Sequence, residues 1–165
     1  GLACGQHGLM GKQNLYDHSV RVPLMVVGPE VEEGKRIDVP VYLQDIMPTT
    51  LQLAGVSKPG HVQFNSLLPL MEGEESPYRV IYGAYLDKQR SVRTNRYKLI
   101  VYPSAPVVRL FDVKKDPLEM NDLANSSEHQ ETVARLFKRL KRLQKQMKDS
   151  LDLGDLSKYS AVSKG

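Results

Sequence analysis

The residues best suited to chemistry lie close to the N-terminus. The run Gly5-Gln6-His7-Gly8-Leu9-Met10-Gly11-Lys12 sets glycines, a histidine and a lysine side by side. Glycines let a backbone approach a ligand closely. A lysine brings a compact charge that suits a sulfate or phosphate oxygen. A histidine can donate a hydrogen bond to the same anion, or exchange a proton near neutral pH. The chemistry expected is oxyanion binding, with Lys12 and His7 as catalytic and substrate-binding candidates. His18, a little further on, is a further substrate-binding candidate. The run is not a Walker phosphate loop, because Gln13 rather than Ser or Thr follows Lys12. A plain glycine-rich loop remains the bland alternative at this point.

Several elements must position these residues. Residues 1–19 are polar and glycine-rich and read as a loop. Val22-Pro23-Leu24-Met25-Val26-Val27 is short, apolar and closed by Gly28-Pro29, which predicts a buried strand. Residues 43–55 predict a helix with Asp45 as N-cap, Pro48 in its first turn and Gly55 at C′. Residues 56–77 look irregular. Residues 80–85, 91–94, 97–102 and 109–113 are short β-rich segments split by turn residues, as in an antiparallel meander. After Ser126-Ser127, a candidate cap, comes a long helix. Val133, Leu136, Leu140, Leu143, Met147 and Leu151 make its apolar stripe. The tail from Gly154 is polar and expected to fray.

Composition limits the rest. With 165 residues, 41% hydrophobic and 25% charged, the chain can bury a real core. A single cysteine, Cys4, excludes an internal disulfide framework and a multi-cysteine zinc site. No apolar run is long enough to span a membrane. The net charge of +4 is local: residues 128–148 hold seven basic side chains against two acidic ones, leaving the remainder at −1. No aromatic residues interleave with that basic run as single-stranded nucleic acid would require, so it reads as a solvated helix face. Asp17 and Arg21, four residues apart, read as a local ion pair. His61 and His129 read as surface residues. Tyr97, Tyr102 and Phe111 alternate as strand packing would.

The N-terminal run, continued through Gln13-Asn14-Leu15-Tyr16-Asp17-His18-Ser19-Val20-Arg21-Val22-Pro23-Leu24, resembles a segment of the formylglycine-dependent sulfatases. Two more stretches agree in order and spacing. One is Asp45-Ile46-Met47-Pro48-Thr49 through Ala54-Gly55. The other runs from Arg93-Thr94-Asn95-Arg96-Tyr97-Lys98-Leu99-Ile100 through Leu110-Phe111-Asp112-Val113 to Asp116-Pro117-Leu118-Glu119-Met120-Asn121-Asp122-Leu123-Ala124. The resemblance implies a hydrated formylglycine as nucleophile on sulfur and a calcium ion as Lewis acid. It places Lys12 at the family's sulfate-contacting lysine and His7 at a histidine near the pocket. The last metal ligands would precede Gly1, so no metal ligand is expected within the chain.

There are departures from the family pattern. The nucleophile motif Cys-x-Pro-x-Arg and the acidic metal pair are missing, Cys4 sits in a different context, and Gln6 replaces a Glu. The chain begins at Gly1 in what reads as the middle of a loop. A fragment lacking the N-terminal part of its catalytic domain is therefore expected.

The resemblance thus implies the C-terminal part of an alkaline-phosphatase-like α/β sandwich plus a small antiparallel-sheet subdomain with a long C-terminal helix. Residues 1–76 would end the catalytic domain, and residues 77–165 would form the α+β subdomain with its frayed tail. The activity implied is sulfuric ester hydrolysis, on sulfated carbohydrates or aryl esters. The alternatives are a phosphonate or phosphate ester hydrolase of the same superfamily, and a non-catalytic remnant or binding module. Expected partners are a sulfated small molecule or carbohydrate and the rest of the catalytic domain, with neither nucleic acid nor membrane. Export to periplasm, outside medium or lysosome is implied by the same resemblance.

Overall fold

The computed structural model describes residues 1–161. Glycines keep its first elements small. β1 (Ala3–Cys4) and β2 (Met10–Gly11) pair antiparallel around a 3-10 turn at Gln6–Gly8. A short helix, α1 (Asp17–Val20), forms where only loop was expected. Residues 22–27 depart from the sequence reading. They form no strand and face solvent, with Met25 87% and Val27 96% exposed. A buried parallel strand needs a neighbour on each side, and no described strand pairs with this segment.

A 3-10 turn at Leu43–Asp45 leads into α2 (Ile46–Leu53). Gly55 closes α2 at φ 69°, the left-handed conformation a C′ glycine supplies without strain. Asp45 does not cap α2 with its side chain, contrary to expectation. Its buried carboxylate instead accepts from the Tyr42 N–H at 2.8 Å, the Asn65 N–H at 3.1 Å and the Tyr78 hydroxyl. Burial and that bond push the Tyr78 hydroxyl up to about 12. The Thr49 hydroxyl accepts from the Leu67 N–H at 2.8 Å, just before α3 (Leu68–Met71).

The main sheet follows from short alternating runs. β3 (Ile81–Tyr85), β4 (Gln89–Arg93), β5 (Tyr97–Tyr102) and β6 (Val107–Asp112) lie side by side in chain order, closely matching the expected meander. Val92 is registered on Leu99, and Leu99 on Leu110. The long helix, α4 (Gln130–Gln146), buries Val133, Leu136, Phe137, Leu140 and Leu143, and packs on β4 and β5. Successive residues of β5 point to opposite faces. Ile100 therefore joins Phe111, Val113, Leu15 and Tyr16 in a cluster on the other face. The tail does not simply fray: a 3-10 turn at Leu156–Lys158 leads into β7 (Ser160–Ala161), which pairs parallel with β6. The tail's last residues, 162–165, lie outside the described residues.

Two compact units result. Gly1–Pro23 packs with residues 82–161 as one, and Leu24–Ile81 forms the other. The first unit puts both sheet faces to use, α4 on one and the N-terminal loop on the other. The mixed α/β class expected from the sequence is what forms, with an antiparallel sheet and a long C-terminal helix.

Candidate active site

The loop between β1 and β2 is tightly turned. The Gly5 N–H donates to the Leu9 carbonyl at 2.9 Å, and the Gly8 N–H to the Gly5 carbonyl at 3.0 Å. Gly5 and Gly8 adopt positive φ at no steric cost, but His7 does so too, at φ 54°. A non-glycine residue held there is strained, and such strain gathers at functional sites.

Three contacts hold His7 in place. Its ring stacks on Tyr16, with centroids 4.0 Å apart and planes 10° from parallel. His18 stacks at 5.6 Å from His7 and 5.7 Å from Tyr16. The His7 Nε2 lies 3.1 Å from the Leu118 carbonyl. A carbonyl only accepts, so Nε2 carries the proton, and in the neutral ring Nδ1 is the basic nitrogen. The structure thus brings His7 and His18 together, through a tyrosine that sequence reasoning had not singled out.

His18 is half-buried, and its buried Nε2 has no hydrogen-bond partner among the described residues. Burial, then the neighbouring charges of His7 and Lys98, hold its pKa below the usual 6.5, against the pull of Asp17. Lys12 follows β2 directly and is exposed. Its ammonium enters no hydrogen bond or ion pair among the described residues.

Beneath the stack lies a charge cluster. Asp17 does not pair with Arg21, as its spacing suggested. Its carboxylate meets Lys98 Nζ at 2.8 Å and Arg93 Nε at 3.6 Å. Lys98, only 1% exposed, also meets Glu119 at 2.8 Å. Glu119 in turn accepts from the Asp17 N–H at 2.6 Å. Burial pushes the Glu119 carboxyl up, against the opposing pull of Lys98. Adjacent residues of one loop, Leu118 and Glu119, therefore grip both the His7 turn and the start of α1. A lysine inside the apolar run Tyr97-Lys98-Leu99-Ile100 was the available signal, since a buried lysine must be paired.

Other candidates fall elsewhere. Phe111 is core, Tyr102 flanks it, and Tyr97 lies under the Arg96 guanidinium at 4.8 Å. His61 is exposed as expected. His129 is half-buried, edge-on to Tyr97, rather than at the surface. Cys4 is exposed and free. Among the described residues, no three of His, Cys, Asp and Glu gather as a cation cage. These residues therefore do not by themselves fit a calcium ion. No described helix is long and apolar enough to cross a membrane.

Known proteins share this sequence pattern and fold. The model of the family described as "N-sulphoglucosamine sulphohydrolase, C-terminal" matches residues 5–146. An arylsulfatase of Clostridium perfringens is 33% identical over 81% of this chain and 30% of its own length. An N-acetylglucosamine-6-O-sulfatase of Bacteroides thetaiotaomicron is 30% identical over 91% of this chain and 29% of its own. The chain thus spans under a third of either relative. Among solved structures, a candidate sulfatase of Bacteroides thetaiotaomicron superposes with TM-score 0.75 and 28% identity, covering 87% of this chain and 34% of that one. A phosphonate monoester hydrolase from Silicibacter pomeroyi superposes with TM-score 0.74 at 21% identity, over 89% of this chain and 33% of that one, and shares the fold alone. The fold is accordingly of the alkaline-phosphatase-like class.

Proposed function

The chain belongs to the sulfatase family, in its N-sulphoglucosamine sulphohydrolase C-terminal part, and from that membership we propose that the protein carrying it hydrolyses sulfate esters of carbohydrates. The observation that carries this reading is the loop of residues 5–12. It lies wholly within the family match and presents at Lys12 an exposed ammonium that is unpaired among the described residues. The relative acting on N-acetylglucosamine-6-O-sulfate supports an amino-sugar sulfate as substrate.

Within this reading each residue has its part. Lys12 binds sulfate oxygens as a point charge and stabilises the charge that builds on them. His7 presents Nδ1 as a proton acceptor, since its Nε2 is committed to the Leu118 carbonyl. His18, held neutral, donates or accepts a hydrogen bond without adding charge. Calcium and formylglycine belong to the proposal as the family's cofactors, and neither finds its ligands or its Cys-x-Pro-x-Arg motif in these residues. The division into a catalytic part, 1–76, and a C-terminal subdomain, 77–165, belongs to the same proposal, as does export.

The test is hydrolysis of glucosamine 6-sulfate and p-nitrophenyl sulfate by the gene product carrying these residues. Lys12→Ala is expected to lower kcat/KM by roughly a hundredfold or more, the range for losing one preorganised electrostatic contact. A loss under about threefold would remove Lys12 from the sulfate. Faster turnover of phosphonate than of sulfate esters would overturn the substrate class.

A further inference from the structure

The outward face of α4 breaks a local rule. Arg135, Lys138, Arg142 and Lys145 recur at three- and four-residue steps, so they form one row along the helix. At 1.5 Å of rise per residue the row runs for about 15 Å. Arg139 and Lys141 flank it. Arg135 and Arg139, Lys138 and Arg142, and Lys141 and Lys145 are like charges at four-residue spacing, which destabilises a helix. No acidic residue lies between Glu131 and Asp149 to offset them. Among the described residues the row enters no ion pair, and of the flanking pair only Lys141 is bonded, to the Gly154 carbonyl at 2.9 Å. Attraction to the C-terminal end of the helix dipole covers only the last turn. It leaves Arg135, Lys138 and Arg139 unexplained.

We propose that this row is a binding site for a linear sulfated polysaccharide, distinct from the Lys12 loop. The choice of polysaccharide rests on the substrate class proposed above, while the row itself does not. Arginine and lysine heads along one ridge match a thin chain of sulfate groups, with arginine able to bind them bidentately. Three observations set other polyanions aside. The apolar face of α4 is already spent on the core through Leu136, Phe137, Leu140 and Leu143, so it has nothing to insert into a bilayer. The outward face carries no aromatic ring on which a base could stack. The rest of the chain is close to neutral, so no broad basic surface surrounds the row. Such a site holds a polymer near the protein between hydrolytic events and raises the local concentration of chain ends.

Binding of a fluorescent heparin dodecasaccharide to this protein, followed by anisotropy across a salt series, tests the proposal without requiring turnover. The variant R135Q/K138Q/R142Q/K145Q is expected to lose at least about tenfold in affinity at ~50 mM salt and to show a shallower salt dependence. Glutamine is a good helix former, and circular dichroism checks that α4 persists. The lysine-to-arginine variant K138R/K145R is expected to bind as the parent does, and so is K114Q/K115Q, which removes exposed charge elsewhere. Unchanged heparin binding in the fourfold variant overturns the site. So does equal binding of single-stranded DNA or phosphatidylserine vesicles that the same variant abolishes. Lost turnover with heparin binding intact would strike the proposed activity and leave the row standing.

Discussion

Lys98 carries its charge into a site of 1% exposure because Asp17 and Glu119 each meet it at 2.8 Å. Removing one partner of a buried pair strands the other, at about 3–5 kcal/mol. Lys98→Met is therefore expected to lower the unfolding free energy from urea titration by that order, and a variant as stable as the parent would show that the cluster contributes little. That a lysine in an apolar strand must be paired was legible in the sequence. Which acids pair with it was not, because Asp17 lies 81 residues away, and its four-residue spacing to Arg21 pointed to a local partner instead. His18 makes a second expectation. Its folded pKa lies below the usual 6.5, whereas in the unfolded chain it titrates near ~6.5. As pH falls through the window beneath that value, the unfolded state takes up the proton first and stability declines. His18→Asn is expected to flatten this decline in melting temperatures taken from about pH 7 to about pH 5. An unchanged slope would assign the decline to other groups.

At the scale of the element, α4 was the most legible feature, since a stripe at helical period names both the helix and its buried face. The reading overran its end. Met147 and Leu151 continue the period, but the helix stops at Gln146 and Lys148 turns to φ 55°. The turn delivers Asp149 to Arg90, which grips its carboxylate through Nε and Nη2. Tyr82, Gln144 and the Leu151 N–H add further bonds. Periodicity carries no trace of such a tether, which depends on residues far apart in the chain. Arg90 holds the Asp149 carboxyl well below the usual carboxylate range, with Tyr82 adding to the pull. The stability this supplies is complete above about pH 4 and fades as pH falls towards the lowered value. Asp149→Ala is expected to cost on the order of 3 kcal/mol near neutral pH and much less in strong acid. Equal costs at both pH values would mean that charge is not its contribution.

For the whole molecule, the meander and its helix were legible because each strand pairs with its neighbour in sequence. Residues 22–27 were misread because an apolar run of that length specifies a strand only when other strands flank it. Their exposure at Val22, Leu24, Met25, Val26 and Val27 makes an adhesive stretch. This chain in isolation is expected to self-associate with rising concentration, and Met25→Lys with Val27→Lys to shift it towards monomer in light scattering. A parent that stays monomeric throughout would contradict that. The pairing of Asp17 with Lys98 and Glu119 also has a temporal side. During synthesis the His7 turn and Tyr16 emerge well before Glu119, 102 residues later than Asp17. At ~5–20 residues per second, that is a wait of roughly 5–20 s. Through most of that interval Leu15 and Tyr16 have no complete sheet to cover them, so the growing chain offers a nascent-chain chaperone an apolar handle where the finished protein keeps its histidine stack.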